Sequence, residues 1–522
     1  MLKNLVIFLA GVSILVTGCA GKLPDRTRVR ASYAIQNTGS TLLGEITAAP
    51  TTDQTGNSGF HLLAGGLDAF VARAFIVDHA RVSLDIQYYL FHNDLVGRLF
   101  TWQLIRAAER GVRVRLLVDD MDREDRDMNA AIMSHHPNIE IRLFNPFRRG
   151  VSRIPQLITR YGTVTRRMHN KSVTADNQVT ILGGRNIGNE YFQADPNLSF
   201  TDLDVLAIGP VVNEVSNSFD KYWNSDLAYP VNLLNPVPVT QHQFETARQE
   251  LADFIQQQSE SAYISALRKS DLAKQLNRHQ LDFHWGPALI VSDQPEKISS
   301  GFDQTEYHLA PQLAPHWEAV KKELIIFSPY FVPGREGTAF LTEMVRRGVR
   351  VRILTNSLAS NDVGIVHSGY IKYRKKLLKG GVEIYEMSNE RSSGTKKSLF
   401  GRTIFKGSGK ASLHAKSFVF DREKVFIGSL NLDPRSLFHN TEIGVLLSSQ
   451  KLGQIMGDGF DTMTESRAFR LELVKGRYGT TRILWHGRVD GKPETFSVEP
   501  YTSLWERLNT SVLSLLPLES QL

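Results

Sequence analysis

Two stretches of the sequence place a histidine and a lysine two residues apart: His169 with Lys171, and His414 with Lys416. A histidine can attack phosphorus or move a proton, because its pKa lies near neutrality. A lysine beside it supplies positive charge for the oxygens of a phosphodiester. The residue types therefore indicate chemistry on a phosphate ester, with one histidine attacking and the other protonating the leaving alcohol.

Both stretches fit one frame, H-x-K-x4-D-x6-G-[GS]-x-N, with Asp176 and Asp421 as the acids and Asn186 and Asn431 at the end. Each copy is predicted to form two short strands around a tight turn, so that residues two apart share a face. Both acids are counted with the catalytic motif, although turn chemistry alone favours aspartate there and would let them anchor the lysine or backbone without touching substrate. The small pair is expected to let a backbone approach a ligand, and the asparagines to offer amide donors.

A further predicted strand carries an acid after each motif, Asp202 in TDLDVLAIG and Glu442 in NTEIGVLL. If the two align, they are orienting acids that hold a histidine ring in one tautomer. The alternative is a solvated carboxylate at a strand edge. The sequence contains no H-E-x-x-H and no carboxylate cluster that suits a metal, so no metal or other cofactor is expected.

The elements that must position these residues also occur twice. A buried strand, a helix ending at glycine and a strand beginning V-R-V-R are predicted over 81–120 and again over 322–357. The separation between Gly111 and Gly348 along the chain is nearly the same as that between the two motif histidines, which indicates a duplicated domain. The alternation of strands and helices predicts an α/β fold with a largely parallel or mixed sheet in each half. Two facing copies would form one site.

The N-terminal residues resemble those of bacterial lipoproteins. The apolar run Leu5–Val16 has the length of a signal-peptide core and is too short to span a bilayer. It leads into V-T-G-C, where Cys19 is the only cysteine of the chain. We expect lipid attachment at Cys19 and an anchor on the periplasmic side of a bacterial envelope membrane, inner or outer undecided. The alternative is an incidental residue near an ordinary cleavage site.

Composition shifts divide the chain into five predicted segments: a lipoprotein signal peptide (1–18), a tether (19–59), a first α/β domain (60–228), a linker with a helical insertion (229–285) and a second α/β domain (286–522). The last segment ends in a predicted amphipathic helix. Its apolar face consists of Leu504, Trp505, Leu508, Val512 and Leu515. Packing of this face onto the body is the favoured interpretation, and membrane contact is the alternative.

The doubled frame resembles the HKD signature of the phospholipase D superfamily. The stretches RMHNKSVTADNQVTILGGRNIGNEYF, WGPALIVSDQPEK, SLHAKSFVFDREKVFIGSLNLDPRS and LLPLES resemble its bacterial cardiolipin synthase C-like branch. The resemblance covers the chain from about Phe60 onward. It implies two phospholipase D-like α/β domains related by a pseudo-twofold axis, with the active site at their interface.

The resemblance also implies a metal-independent phosphatidyl transfer to phosphatidylglycerol that yields cardiolipin, with phosphatidylglycerol or phosphatidylethanolamine as donor. In this scheme His169 is the nucleophile that forms a phosphatidyl-histidine and His414 is the general acid/base, an assignment that the pseudo-symmetry leaves reversible. The residues expected to hold the phosphate are Lys171, Lys416, Asn186 and Asn431.

Other functions stay open at this point. The formal charge of +7 and the pI of about 9.2 suit either nucleic acid or an anionic membrane. A phospholipase D that hydrolyses lipids would use the same residues with water as acceptor. The small nucleases of the superfamily resemble one motif per chain and have no use for a lipid anchor, so we expect membrane phospholipids and no nucleic acid as partners. A lipid-binding scaffold would tolerate a missing histidine or lysine, and none is missing.

Overall fold

A computed structural model describes residues 23–121, 126–235, 237–361, 363–388, 396–397, 403–404, 410–476 and 480–516 of the 522-residue chain. The predicted signal peptide and Cys19 lie outside the described residues. Within the described residues, no helix combines the length and the hydrophobicity that crossing a bilayer requires.

The first half of the chain forms a nine-stranded mixed sheet with the order β10-β1-β8-β6-β5-β2-β3-β4-β9. Its strands are β1 (Ser58–Leu63), β2 (Ser83–Tyr88), β3 (Arg113–Asp119), β4 (Ile139–Phe144), β5 (Ser172–Ala175), β6 (Val179–Gly183), β8 (Asp204–Ile208), β9 (Ala228–Pro230) and β10 (His284–Gly286), while β7 (Leu198–Thr201) pairs elsewhere. Strands β2, β3 and β4 run parallel and the remaining neighbours are antiparallel.

Helices cover both faces of this sheet. They are α1 (Leu42–Thr51), α2 (Gly66–His79), α3 (Leu95–Glu109), α4 (Arg126–Met133), α5 (Arg153–Thr159), α6 (Val211–Asn224) and α7 (Val231–Leu234). Between the halves lie three more helices: α8 (Gln241–Gln258), α9 (Ala262–Arg268) and α10 (Asp271–Asn277). Helix α8 begins with a capping box formed by Thr240 and Gln243.

The second half repeats the pattern in a ten-stranded sheet with the order β11-β20-β19-β18-β12-β13-β14-β21-β22-β23. Its strands are β11 (Ala288–Ser292), β12 (Glu323–Phe327), β13 (Arg350–Asn356), β14 (Glu383–Met387), β18 (Lys416–Phe420), β19 (Lys424–Gly428), β20 (Ile443–Ser448), β21 (Ala468–Lys475), β22 (Thr481–Val489) and β23 (Lys492–Phe496). Two short pairs stand apart: β15 (Lys396–Lys397) with β16 (Thr403–Ile404), and β17 (Lys410–Leu413) with β7. The helices are α11 (Ala310–Glu318), α12 (Gly334–Arg346), α13 (Gly364–Lys379), α14 (Gln450–Arg467) and α15 (Leu504–Leu513).

The duplicated α/β architecture is confirmed by the strand order. Seven strands of the first sheet, β1-β8-β6-β5-β2-β3-β4, occur in the same relative order as β11-β20-β19-β18-β12-β13-β14 of the second. Just after α3 and α12, Gly111 and Gly348 adopt positive φ values of 94° and 90°, a conformation that glycine reaches without steric cost. The glycine stops in the sequence therefore mark equivalent helix ends.

Besides a core of its own in each half, the two halves share an apolar cluster at their interface. Phe60, Leu182 and Val205 of the first sheet pack in the same cluster as Ile325 and Val419 of the second. The parallel pairing of β7 with β17 also joins the halves. The interface is therefore part of the hydrophobic interior, which holds the residues at its edge in a fixed relation.

The C-terminal helix α15 lies against α13 with its polar side. Thr510 is buried, and Lys372 of α13 donates a hydrogen bond to the carbonyl of Leu516 at 3.2 Å. The prediction that the apolar face packs onto the body is wrong. All five residues of that face are solvent-exposed, with exposed fractions from 47% at Leu508 to 84% at Leu515.

Candidate active site

The two motif histidines meet at the interface between the halves. His169 lies just before β5 and His414 just before β18, and both are buried. The amide of His169 donates to the carbonyl of Thr441 at 2.8 Å, and that of His414 donates to the carbonyl of Thr201 at 2.7 Å. Each histidine is therefore attached by its backbone to the opposite half of the chain.

Each histidine ring is held by the acid of the other half. Nδ1 of His169 lies 2.8 Å from Oε2 of Glu442, and Nδ1 of His414 lies 2.5 Å from Oδ2 of Asp202. A carboxylate at Nδ1 selects the tautomer with hydrogen on that atom and places the reactive lone pair on Nε2. The structure thus brings the two sequence-predicted acids to the two histidines, in a crossed arrangement.

Both motif lysines are buried beside the histidines. Nζ of Lys171 donates to the carbonyl of His169 at 2.5 Å, and Nζ of Lys416 donates to that of His414 at 2.5 Å. Burial lowers the pKa of Lys171 to about 7, against the opposing effect of Glu442. The cost of burying two cations is offset by the nearby carboxylates, and an anionic phosphate would offset it further.

The two histidine–acid pairs differ electrostatically. Burial, together with the charges of Lys171 and Lys416, holds the pKa of His169 well below its usual value. Burial raises the pKa of its partner Glu442 to about 7, against the effect of Lys171. Around Asp202, burial is outweighed by His414 and the neighbouring cations, so the pKa of Asp202 lies below its ordinary value. At neutral pH, His169 is therefore neutral and lies beside Glu442, whereas Asp202 is ionised and lies beside His414.

The small-residue pair of each motif makes room for the orienting acid. A Cβ added to Gly184 would lie 2.2 Å from Oδ1 of Asp202. At the equivalent place in the second half, the hydroxyl of Ser429 donates a hydrogen bond to Glu442. The expectation that the small pair serves the close approach of a ligand is therefore corrected, because the acid of the following strand fills that space.

The two motif asparagines have different surroundings. Asn186 donates through Nδ2 to the hydroxyl of Tyr191 at 2.8 Å and accepts from the amide of Leu90 at 3.2 Å. In the part of the chain that the structure describes, the buried Oδ1 of Asn431 has no hydrogen-bond partner. The side chain of Asn186 is therefore fixed by its neighbours at both ends, whereas the acceptor oxygen of Asn431 has no hydrogen-bond partner among the described residues.

Aromatic rings line the site, and no sequence motif assigns them a role. Tyr89 meets His169 edge-on with ring centroids 5.0 Å apart. Tyr191 meets His414 edge-on at 5.1 Å, and Phe200 lies at 5.0 Å from the same ring. The pair of tyrosines at the end of the predicted strand RVSLDIQYYLF was the one signal for Tyr89. These rings restrict the histidines and limit the access of water.

The motif acids Asp176 and Asp421 act on the backbone. The carboxylate of Asp176 accepts hydrogen bonds from the amides of Arg81, Val82 and Ser83 at the start of β2. Asp421 accepts from the three equivalent amides at the start of β12. A strand rises about 3.3 Å per residue, so β5 places Asp176 roughly 20 Å along the chain from His169. The prediction that groups Asp176 and Asp421 with the catalytic residues is therefore corrected. Both carboxylates bind backbone amides, as the turn-forming alternative predicts, and neither binds the motif lysine.

We expect Asp176→Ala to lower the free energy of unfolding by about 3 kcal/mol, because it leaves three amides without an acceptor. Turnover per folded molecule should stay within about tenfold of wild type, since the carboxylate is remote from the histidines. Urea unfolding followed by circular dichroism measures the first quantity, with the exposed Asp53→Ala as control. Normal stability combined with lost turnover would indicate that Asp176 takes part in catalysis.

One group of side chains near the site has the ligand types of a metal site. Among the described residues, potential ligand atoms of His92, Asp94 and Glu190 lie within 4.8 Å of one another. Both carboxylate oxygens of Asp94 already accept backbone hydrogen bonds, from Gly97 and Asn189. No local sequence pattern indicates this group, because Glu190 is distant in the chain from His92 and Asp94. Hydrogen bonding accounts for Asp94 without an ion.

Comparison with known proteins finds a family profile and close relatives. The profile described as "Cardiolipin synthase, PLD-like domain" matches twice, over residues 76–223 and 318–464. Cardiolipin synthase C of Escherichia coli is 41% identical over 473 residues, which cover 89% of this chain and 96% of that protein. An uncharacterised protein of Helicobacter pylori is 31% identical and covers 98% of this chain and 99% of its own length.

Among solved structures, the crystal structure of phosphatidylserine synthase from Haemophilus influenzae aligns with a TM-score of 0.56. The alignment covers 92% of this chain and all of that chain, at 11% sequence identity. At this identity the likeness concerns the fold, and it extends over both halves of the chain.

Proposed function

The chain belongs to the cardiolipin synthase family of phospholipase D-like proteins, and we propose that it makes cardiolipin by transferring a phosphatidyl group to phosphatidylglycerol. One observation carries the proposal most directly. Two buried histidines, each bonded at Nδ1 to an acid of the opposite half, meet in one site with two buried lysines. This set supplies a nucleophile, a proton carrier and fixed positive charge for one phosphodiester.

In the first step of the proposed reaction, Nε2 of His169 attacks the phosphorus of the donor lipid. His414 gives a proton to the departing headgroup oxygen, so the phosphatidyl group becomes bound to His169. The low pKa of His169 keeps its lone pair available at neutral pH. The ionised Asp202 stabilises His414 in its protonated form, which suits the general acid.

In the second step, the headgroup hydroxyl of a phosphatidylglycerol takes the place of the departed alcohol. His414 removes the proton of this hydroxyl, whose oxygen attacks phosphorus and releases His169. The product carries two phosphatidyl groups on one glycerol, which is cardiolipin. Lys171 and Lys416 are proposed to neutralise the phosphate oxygens in both steps, and the Nδ2 amide group of Asn431 to donate a hydrogen bond to them.

The enclosure of the site favours a lipid alcohol over water as the acceptor. The motif histidines and lysines are all less than a tenth exposed, and Tyr89, Tyr191 and Phe200 pack against the two rings. A site that excludes water protects a covalent intermediate from hydrolysis until the second lipid binds.

We expect purified protein to convert labelled phosphatidylglycerol into cardiolipin in the presence of EDTA, with phosphatidic acid as a minor product. The chelator should change the rate by less than about twofold, because lysine charges replace metal ions in this scheme. Thin-layer separation of the lipids, with and without phosphatidylethanolamine, measures transfer and identifies the donor. Phosphatidic acid as the main product would indicate a hydrolase, and DNA cleavage with intact lipids a nuclease.

The proposal also places the enzyme at a lipid surface. Helix α15 presents Leu504, Trp505 and Leu508 to solvent, and the adjacent α13 carries the exposed lysines Lys375 and Lys376. An apolar face beside cationic side chains suits a bilayer rich in anionic phosphatidylglycerol. Lipid attachment at Cys19 on the periplasmic side, which the V-T-G-C sequence supports, would hold the chain at the same surface.

A variant carrying Trp505→Ser and Leu508→Ser is expected to bind phosphatidylglycerol vesicles about tenfold more weakly, because two large apolar side chains no longer enter the interface. Sedimentation with vesicles measures the affinity, using protein without the lipid-modified N-terminus. Val237→Ser removes an exposed apolar residue of the linker and serves as the matched control. Equal binding of all three proteins would contradict a membrane role for α15.

A further inference from the structure

An apolar cavity of about 350 Å³ lies in the first half of the chain and has no part in the reaction scheme above. Its floor is the face of the sheet formed by Leu116 and Val118 of β3 and by Ile141 and Leu143 of β4. Helices α3, α4 and α8 form its sides. The cavity is partly open to solvent and its lining is mostly apolar, which are the properties of a site for an apolar ligand.

Helix α8 turns its apolar side to this space. Phe244, Ala247 and Leu251 line the cavity and recur at helical spacing along one face. Most other residues of this 18-residue helix are polar or charged. The helix between the two halves therefore covers the cavity with a narrow apolar stripe and leaves the space beneath it unfilled.

The cavity adjoins the walls of the active site. Phe91, which lines it, follows Tyr89 by two residues, and Tyr89 packs against His169. Two residues of extended chain span about 7 Å. On the other side, Nδ1 of the lining residue His92 lies 3.3 Å from Oε1 of Glu190, which precedes Tyr191 at the His414 ring. Residues that line the cavity are therefore neighbours, in sequence or in space, of the segments that carry the aromatic rings at both histidines.

We propose that this cavity receives one acyl chain of the phospholipid whose phosphate is bound between the histidines. The identity of the ligand rests on the proposed function, because a phosphatidyl substrate carries acyl chains within a few bonds of its phosphate. The volume is in the range of small-molecule binding sites. An extended hydrocarbon is an occupant that matches a floor formed by apolar side chains of two neighbouring strands.

The two arginines at the cavity already have partners, which favours an apolar occupant. Nε of Arg248 lies 2.6 Å from a carboxylate oxygen of Glu109. Arg98 donates to Asn93 at 3.0 Å and packs over the ring of Phe254. A ligand with its own charge deep in the cavity would find an apolar floor and no unpaired arginine among these residues.

Photolabelling tests the occupant directly. Full-length protein is irradiated with phosphatidylglycerol that carries a diazirine at the end of one acyl chain, and the labelled peptides are identified by mass spectrometry. We expect label on the peptides that contain Phe244 to Leu251 and Met133. Ala247→Trp fills the cavity and should reduce this label at least about fivefold. Thr246→Trp places the same bulk on the exposed side of the helix and should leave the label unchanged.

Chain-length dependence supplies a second readout. With short-chain phosphatidylglycerols below their micelle concentration, each methylene that enters the cavity should raise kcat/KM about fourfold in wild type. Ala247→Trp should abolish this dependence and Thr246→Trp should retain it, with glycerol release as the measured rate. Ala130→Phe, which fills the cavity from α4, serves as a second variant if Ala247→Trp does not fold.

The two proposals fail in distinguishable ways. Absence of turnover of any phospholipid would contradict the proposed function, while the position of the photolabel would still report on the cavity. Normal turnover with label confined to α15 or to other surfaces would overturn the acyl-chain site and leave the transferase intact. An unchanged chain-length dependence in both filling variants would overturn it as well.

Discussion

The His169→Ala variant is expected to lose at least about 10⁴-fold of its turnover with every substrate, because it removes the nucleophile of the first step. His414→Ala should lose a similar factor with phospholipids, whose headgroup alkoxides are poor leaving groups. With a nitrophenyl phosphodiester it should regain the first step, since nitrophenolate departs without a proton. The phosphorylated His169 should then accumulate in this variant, because no base activates the second alcohol.

Rapid quenching followed by mass spectrometry of the peptide around residue 169 measures that accumulation. The pseudo-symmetry of the sequence leaves the assignment of the two histidines open, whereas the structure supplies a reason for it. The surroundings lower the pKa of His169 and place an ionised carboxylate beside His414. Label on the peptide of His414 in the His169→Ala variant would exchange the two roles. Full activity in either variant would exclude a two-histidine mechanism.

The elements and the motif could be predicted from the sequence because their signals are local. The hairpin after His169, the helix ends at Gly111 and Gly348, and the repeat of the whole pattern all follow from spacing along one segment. The predicted α/β duplication and the membership of the phospholipase D superfamily are confirmed. Spacing could also indicate that Asp202 and Glu442 follow their motifs at similar positions.

What the sequence could not predict depends on how distant segments meet. The pairing of Glu442 with His169 exists only because the two sheets pack against each other, so no local pattern contains it. The cavity under α8 results from the way the insertion covers the first sheet. Helix α15 illustrates a different limit. Its apolar stripe is visible in the sequence, but amphipathicity does not say whether the partner of that stripe is protein or lipid.

The second large effect on lipid turnover is expected when the acids that bind the histidine of the opposite half are substituted. Asp202→Asn should lower lipid turnover by about 10² to 10⁴-fold, because the amide no longer selects the tautomer of His414 or stabilises its protonated form. Glu442→Gln should cost less. At neutral pH the carboxyl of Glu442, with a pKa of about 7, is already partly protonated, so its charge contributes less to holding His169.

The substrate dependence of these variants distinguishes crossed from uncrossed pairing. Asp202 belongs to the first half, as His169 does, yet its carboxylate lies on His414. We therefore expect Asp202→Asn to share the behaviour of His414→Ala: weak with phospholipids and partly restored with the nitrophenyl ester. The double variant should be little worse than His414→Ala alone, because both changes remove one function. If Asp202→Asn instead stayed equally impaired with the nitrophenyl ester, Asp202 would serve the nucleophile, and the pairing across the interface would not describe the working enzyme.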